Sequence, residues 1–322
     1  MKILITGGAG FVGRHFIKVL DTVSNEIVVV DNFIPGGGSL EVSLWRYRPS
    51  SNVVFIRQDC RDFFIESRTR FDLVIHLAAV VGGRLTIELN PLAVAEDLSI
   101  DSLFWKWILY SKPEHVVSFS SSAAYPISLQ SDISSKLLSE SMINFSDSLG
   151  MPDMTYGWAK LTHEYLGQLA YKLSGIKIAC YRPFSGYGSD QSTSYPFPAI
   201  CKRALQNKGE KVFSVWGSSS QKRDFIHIDD IVDAVLKTYS KLIDGKAINL
   251  CTGTGISFNS LAKKICNIVG FDPEIIGDPK MPQGVHSRIG DPFILKSLGW
   301  KPNVTLDFGI RDCLTYLSGK ET

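Results

Sequence analysis

Short apolar runs rich in Val and Ile alternate through the first half of the chain with stretches whose apolar residues recur at helical spacing. The runs Lys2–Thr6, Glu26–Val30, Val53–Arg57, Asp72–His76, His115–Phe119 and Lys177–Tyr181 predict β-strands. Between them, Val12–Leu20, Ala93–Tyr110 and Tyr156–Leu173 predict helices. Alternation of this kind predicts an α/β fold, a Rossmann-type doubly wound parallel sheet with helices on both faces. Ile27-Val28-Val29-Val30 shows no polar alternation, as a strand buried on both faces requires.

Beyond Arg182 the texture changes. Ser, Gly and Pro are dense through Phe184–Pro198, Gly217–Ser220 and Asp278–Gly284. A helix is expected again at Ile228–Tyr239 and a strand at Ala247–Cys251. The expected organisation is a dinucleotide-binding domain over residues 1–182, to which the chain returns near 224–250. Residues 183–322 would mainly form a smaller substrate-binding lobe. Ile127–Asp153, rich in Ser and Met, reads as a partly helical excursion over the site.

A length of 322 residues accommodates about two domains. Hydrophobic residues at 44% and charged residues at 20% exclude wholesale disorder. The formal charge of +2 calls for no basic face, so nucleic acid is not an expected partner. Cys60, Cys180, Cys201, Cys251, Cys266 and Cys313 have no metal-like spacing and read as reduced core thiols, and no metal is expected. With no secretory or membrane-spanning stretch, a soluble cytoplasmic protein with no membrane partner is expected.

The candidate chemistry begins at Thr6-Gly7-Gly8-Ala9-Gly10-Phe11-Val12-Gly13, between the first strand and the first helix. Glycines there let the backbone turn tightly and approach a pyrophosphate, which the free N–H groups of the helix N-terminus then receive. Asp31 ends the second strand, where a carboxylate accepts from the adenosine ribose hydroxyls and repels a 2′-phosphate. The next residues are Asn32 and Phe33 rather than Arg, so NAD is favoured over NADP. Asp59, just after the third strand, would either reach the adenine edge or cap a turn with Arg61.

Tyr156-Gly157-Trp158-Ala159-Lys160 puts a phenol and an ammonium one helical turn apart on one face. Tyrosine, which ordinarily ionises near pH ~10, is a poor base near neutrality until a neighbouring positive charge favours phenolate. Ser120-Ser121-Ser122 follows the strand Val116–Phe119 and offers hydroxyls at a strand's C-terminal end, where ligands of open α/β sheets bind. His76 reads as a packed, hydrogen-bonded residue, and His227 before Asp229 and Asp230 as a helix cap. Trp105 and Trp107 read as packing residues on a helix that flanks the sheet.

These pieces, with VIHLAA (Val74–Ala79), SSSAAYP, YGWAK, YRPFSGYG (Tyr181–Gly188), RDFIHIDD (Arg223–Asp230) and LGWKP (Leu298–Pro302), resemble the extended short-chain dehydrogenases/reductases along nearly the whole chain. Within that group the resemblance is to the NAD-dependent nucleotide-sugar epimerases and dehydratases. It implies that Tyr156 is the acid/base at a sugar hydroxyl and that Lys160 holds the nicotinamide ribose. Ser121, with Ser122 the close second, would bond the reacting oxygen. The implied cofactor residues are Gly7, Gly10, Phe11, Val12, Gly13, Asp31, Asn32, Asp59, Cys60, Leu77, Ala78, Ala79, Tyr156, Lys160, Tyr181 and Pro183. The implied contacts to a nucleotide-diphosphate sugar are Gly83, Arg84, Ser122, Ser185, Arg223 and Arg288. A homodimer is implied through the helix carrying Leu161, Tyr165, Leu166, Leu169 and Leu173.

Departures from that pattern narrow the reaction. The acidic pair that follows the loop Ser/Thr in 4,6-dehydratases is replaced by Ser122 and Ala123. Ala123 also stands where 3,5-epimerising relatives carry cysteine, although Val81-Gly82-Gly83 and Tyr125-Pro126 resemble that group. Ser185 replaces the Asn of R-x-x-N-x-Y-G, and Asp97 occupies a helix position that is often Asn. The expected activity is epimerisation at C4 through a transient 4-keto sugar. The alternatives are a 4,6-dehydratase, a 4-reductase or a 4-dehydrogenase, and further off a non-catalytic dinucleotide sensor, against which the intact Ser121, Tyr156 and Lys160 count.

Overall fold

The computed structural model describes residues 1–34, 38–80, 82, 84–131 and 136–319. Six strands alternate with helices: β1 (Lys2–Thr6), α1 (Phe11–Leu20), β2 (Glu26–Asp31), β3 (Val53–Arg57), α2 (Cys60–Glu66), β4 (Leu73–His76), α3 (Arg84–Leu89), α4 (Ala95–Ser111), β5 (His115–Phe119), α5 (Met154–Ser174) and β6 (Lys177–Pro183). The chain continues through β7 (Ser185–Tyr187), α6 (Pro196–Gln206), β8 (Val212–Trp216), β9 (Lys222–His227) and α7 (Ile228–Thr238). It then forms β10 (Asp244–Leu250), β11 (Gly255–Ser257), α8 (Phe258–Val269), β12 (Glu274–Asp278), β13 (Ser287–Arg288), α9 (Phe293–Ser297) and α10 (Leu306–Leu317).

Seven parallel strands form one sheet in the order β10-β6-β5-β4-β1-β2-β3. In the central strand Leu4 sits level with Val28 on one side and Val74 on the other, which fixes which face each side chain enters. One face packs Ile3, Ile5, Phe16, Ile17, Val232 and Val235 under α1 and α7. The opposite face packs Leu4, Phe63, Phe64, Phe104, Trp107 and Ile108 under α2 and α4. Trp105 and Trp107 are both buried, in agreement with the packing role read from the sequence.

Strand order reverses between β1 and β4, so a crevice opens at their C-terminal ends, where ligands of such sheets bind. The strands expected from hydrophobic runs are present, and the differences have local causes. β6 continues to Pro183 because Leu250 of β10 pairs with it. α2 has no amphipathic run to betray it in the sequence. Asp59 caps it, and the buried Cys60, Phe63 and Phe64 hold its seven residues to the sheet. Among the described residues of 127–153 the helical structure is limited to short 3-10 turns, and Leu138 and Ile143 pack there against Tyr125 and Phe184.

A four-stranded sheet of β11, β9, β13 and β7 and a β12–β8 pair complete the chain. There Phe197, Cys201, Phe213, Leu261, Ile265 and Cys313 form a separate apolar cluster. All six cysteines are free and buried. Among the described residues no helix is long and apolar enough to cross a membrane.

A buried ion pair joins α5 to the sheet. Arg182 at the end of β6 donates from Nε to Glu164 Oε1 at 2.7 Å and from Nη2 to Oε2 at 2.6 Å. Ser120 Oγ also donates to Glu164, and Arg182 Nη1 reaches the Tyr125 hydroxyl, which donates to Asn249 Oδ1 at 2.7 Å. Removing one partner strands a desolvated guanidinium. Glu164→Ala is therefore expected to destabilise the fold by about 3–5 kcal/mol. Loss of the exposed Lys237–Asp233 pair through Lys237→Ala should cost below about 1 kcal/mol. Urea unfolding of the two variants measures the contrast, and similar losses would refute it.

Candidate active site

The glycine loop turns from β1 into α1 under tight constraint. Gly7 has φ +69°, and a Cβ there would lie 2.6 Å from the main-chain N of Ala78. The turn is thus pressed against the segment that follows β4, where Leu77 N–H donates to Thr6 O at 3.0 Å. A Cβ on Gly13 would lie 2.5 Å from Gly8 Cα, so α1 abuts the loop itself. Among the described residues the N–H groups of Phe11, Val12 and Gly13 have no partner, and the capping Gly10 supplies no side-chain acceptor. Three free donors at the positive end of a helix dipole suit a pyrophosphate.

Asp31 ends β2 beside that loop. Its Oδ2 accepts from Ala9 N–H at 3.0 Å, and its Oδ1 accepts from Phe33 N–H at 2.8 Å and from Ser39 Oγ at 2.9 Å. Each carboxylate oxygen offers about two acceptor sites, so Oδ2 keeps one for a ribose hydroxyl. Asn32 is exposed and accepts from Ile34 N–H. Leu77, Ala78 and Ala79 follow β4 half-buried, and Pro183 ends β6 half-buried.

Three expected cofactor residues have side chains that the protein itself engages. Of the two readings of Asp59, the structure displays the cap: its carboxylate accepts from Arg61 N–H at 2.8 Å and pairs with the Arg61 guanidinium at 2.7 Å. That guanidinium holds the carboxyl below its usual range. The Cys60 thiol turns into the core under the sheet, where burial pushes its pKa up to about 12. The Tyr181 ring is wholly buried on the α7 side, its hydroxyl 2.8 Å from Thr238 Oγ1. Main-chain position at a strand end was legible for these residues, but side-chain direction was not.

Tyr156 and Lys160 lie one turn apart on α5, with Lys160 Nζ 5.5 Å from the Tyr156 ring centre. Lys160 is buried yet donates no hydrogen bond among the described residues. Burial alone would discharge it, but Tyr156, Asp97 and Asp101 outweigh that and raise its pKa. Burial, with Asp97 and Asp101, also raises the Tyr156 phenol, against the opposing pull of Lys160 and Ser121. Ser121 begins the 3-10 turn Ser122–Ala124, and its Oγ accepts from Ala123 N–H at 3.1 Å. Behind this pair His76 meets Thr6 Oγ1 at 2.7 Å and stacks on Phe104, and burial lowers its pKa to about 4, so it is neutral. His227 caps α7, accepting from Asp229 N–H.

A cavity of about 660 Å³ runs from Ser121, Ser122 and Tyr156 past Ser185 to Arg223 and Arg288. Arg84 lines it too, whereas Gly83 lies outside the described residues. Sequence reasoning missed Asp153. It is buried and accepts from Arg288 Nη2 at 2.5 Å and from Arg84 Nη1 at 3.4 Å. Arg288 Nε also donates to Gln130 Oε1 at 2.6 Å. Arg223 has no carboxylate partner among the described residues and donates only to Lys222 O. Burial, with Arg288 and Arg84 nearby, pushes its pKa down to about 9. No local pattern could have flagged Asp153, since its partners lie 69 and 135 residues away in sequence.

The comparisons with known proteins agree with this geometry. The profile described as "NAD dependent epimerase/dehydratase family" matches residues 3–251. A putative UDP-glucose 4-epimerase of Methanocaldococcus jannaschii is 28% identical, covering 98% of both chains. A GDP-L-fucose synthase of Sinorhizobium fredii is 25% identical over 96% of this chain and 93% of its own. The crystal structure of UDP-glucose 4-epimerase from Thermotoga maritima with UDP-glucose superposes with a TM-score of 0.82, at 26% identity and 99% coverage of both chains. The glycine cradle, the Asp31 carboxylate and the unspent donors of Lys160 fit a nicotinamide dinucleotide, and the chain belongs to the NAD-dependent epimerase/dehydratase family acting on nucleotide sugars, with NAD as its cofactor.

Proposed function

We propose that this protein is a nucleotide-sugar 4-epimerase. The observation that carries the reading is one cavity whose lining joins Ser121 and Tyr156 to Arg84, Arg223 and Arg288, with Arg223 lacking a carboxylate partner among the described residues. Arg84 is paired with Glu88 and Arg288 with Asp153, so Arg223 adds positive charge without a carboxylate partner among the described residues to a cavity that Lys202 and Arg203 also line, which suits the negative charges of a diphosphate. Guanidinium groups suit such a group because their planar donor fork bonds two oxygens at once. The nucleoside end is then gripped well away from Tyr156, and the sugar can present either face of its ring.

Tyr156 takes the proton from the sugar hydroxyl and later returns it, and Ser121 donates a hydrogen bond to the reacting oxygen. Burial raises the phenol pKa and Lys160 and Ser121 oppose it, so Tyr156 serves as the base in its phenolate form once the positive charge of Lys160 and of the bound cofactor favours that form. Lys160 supplies the positive charge that lets the phenolate form, and its free donors hold the nicotinamide ribose. NAD, when bound, supplies the hydride acceptor and donor at the sugar carbon. Ala123 bears neither the acid of a dehydratase nor the thiol of a 3,5-epimerase, which leaves an oxidise-and-return set. Trp158, Tyr165 and Leu173 expose apolar surface along α5, which supports a homodimer built on that helix.

Asp31 selects NAD over NADP by accepting from the ribose and repelling a 2′-phosphate. Asp31→Ala is expected to weaken NAD binding and to narrow the preference. Titration of both cofactors against both proteins measures this, and a wild-type preference for NADP would overturn it. Tyr156→Phe preserves ring volume and removes the proton-transfer group. It is expected to lower turnover about 10²–10⁴-fold while leaving NAD affinity near normal. More than a third of wild-type activity in that variant would exclude Tyr156 as the base.

The reaction type is tested with a panel of UDP- and GDP-sugars, following reduced-nicotinamide absorbance beside chromatography of the sugar nucleotide. Epimerisation predicts a product of unchanged mass, no stoichiometric NADH and no requirement for NADPH. One NADH per product would replace this reading with a dehydrogenase, and a product lighter by one water with a dehydratase. Dependence on NADPH would replace it with a reductase.

A further inference from the structure

Asp153 immediately precedes α5, three residues before Tyr156. An aspartate in that place ordinarily turns its carboxylate onto the first free N–H groups of the helix. Here it makes no such cap, and the N–H groups of Thr155 and Tyr156 have no partner among the described residues. The next residue, Met154, has φ +60°, a left-handed backbone that costs a non-glycine residue free energy. Two local penalties therefore accompany the direction of one side chain. What that direction gains is the contact with Arg288 and with Arg84, which also pairs with Glu88, in a pocket where Arg223 has no carboxylate partner among the described residues.

The main chain of the same residue ties the remaining parts together. Asp153 N–H donates to Ala123 O at 2.9 Å, in the loop carrying Ser121 and Ser122. Its carbonyl accepts from Gly157 N–H at 3.1 Å and opens the helix that carries Tyr156. Ile87 of α3, three residues from Arg84, packs with Met154, Tyr156 and Ala159. A movement at Asp153 is thus shared by the anion site, the serine loop and the first turn of α5.

We propose that Asp153 is a positioning residue that couples occupancy of the arginine cluster to the placement of Tyr156. This rests on the reading of that cluster as a diphosphate site. Without substrate the carboxylate stands in for the missing anion. A bound diphosphate, with more oxygens and more charge, takes over Arg288 and Arg84. The released carboxylate turns back to accept from Thr155 or Tyr156 N–H, and Met154 leaves its left-handed conformation. The first turn of α5 then settles with Tyr156 facing the sugar. Part of the binding free energy of the diphosphate is in this way used to set the phenol, and a sugar lacking the diphosphate leaves it unset.

The test compares NAD-loaded wild type with Asp153→Asn, which keeps the side-chain volume and one acceptor but carries no charge. Calorimetry measures the affinity for inorganic pyrophosphate, and steady-state kinetics on the nucleotide sugar that the wild type turns over gives kcat and KM. The variant is expected to bind pyrophosphate about tenfold more tightly, within the usual span of coupling between two sites. Its kcat is expected to fall at least about tenfold and its KM to fall as well. A merely structural role would weaken binding and turnover together. Weakened or unchanged pyrophosphate binding overturns the proposal, as does tighter binding with unchanged kcat. Absence of pyrophosphate binding by the wild type, or no loss of it in Arg223→Ala, would instead overturn the diphosphate site itself.

Discussion

The buried Arg182–Glu164 pair is the constraint on which the geometry of this site depends. Tyr156, Lys160 and Glu164 recur at four-residue spacing on α5, so one face of the helix carries all three toward the sheet. The ion pair fixes that face against the end of β6, and the Ser120 bond to Glu164 fixes it against the end of β5. With the far end of this face anchored, Tyr156 and Lys160 have little freedom to rotate about the helix axis. Asn249 extends the same network to β10, so the outermost strand of the sheet is joined to the site through Tyr125.

Charge in the site is divided between two buried groups with opposite needs. Around Lys160 the negative charges prevail, and Asp97 and Asp101 keep it an ammonium although burial opposes charge. Asp97 Oδ1 accepts from Val80 N–H at 2.5 Å, while Oδ2 has no partner among the described residues. The carboxylates that hold Lys160 charged also oppose ionisation of Tyr156. At the far end of the cavity the positive charges prevail. Arg223 is depressed by burial and by Arg288 and Arg84, and it has no carboxylate partner among the described residues. An anion entering there relieves repulsion as well as making hydrogen bonds.

Relatives with similar identity carry different reactions in their names, a 4-epimerase and a fucose synthase among them. The fold is shared, since the Thermotoga maritima 4-epimerase superposes over 99% of both chains. Fold and cofactor are consequently legible at an identity where the precise substrate is not.

Residues whose role follows from local geometry were legible in the chain itself. Gly7 and Gly13 are dictated by backbone approach, Tyr156 and Lys160 by helical spacing, and the strands by apolar runs that only a doubly covered sheet buries. His227 as a cap and His76 as a packed residue also follow from their immediate neighbours. The sequence could not say that Tyr181 faces α7 or that the Cys60 thiol enters the core. One residue's shift along a strand exchanges the two faces, and only the neighbouring strands and helices fix which applies. It could not choose between two partners for Asp59, because a guanidinium two residues away competes with any ligand. Nor could it gather Arg84, Asp153, Arg223 and Arg288 into one cavity. Those four lie in separate segments, and electrostatic pairing acts through a few ångströms of space that tertiary folding alone creates.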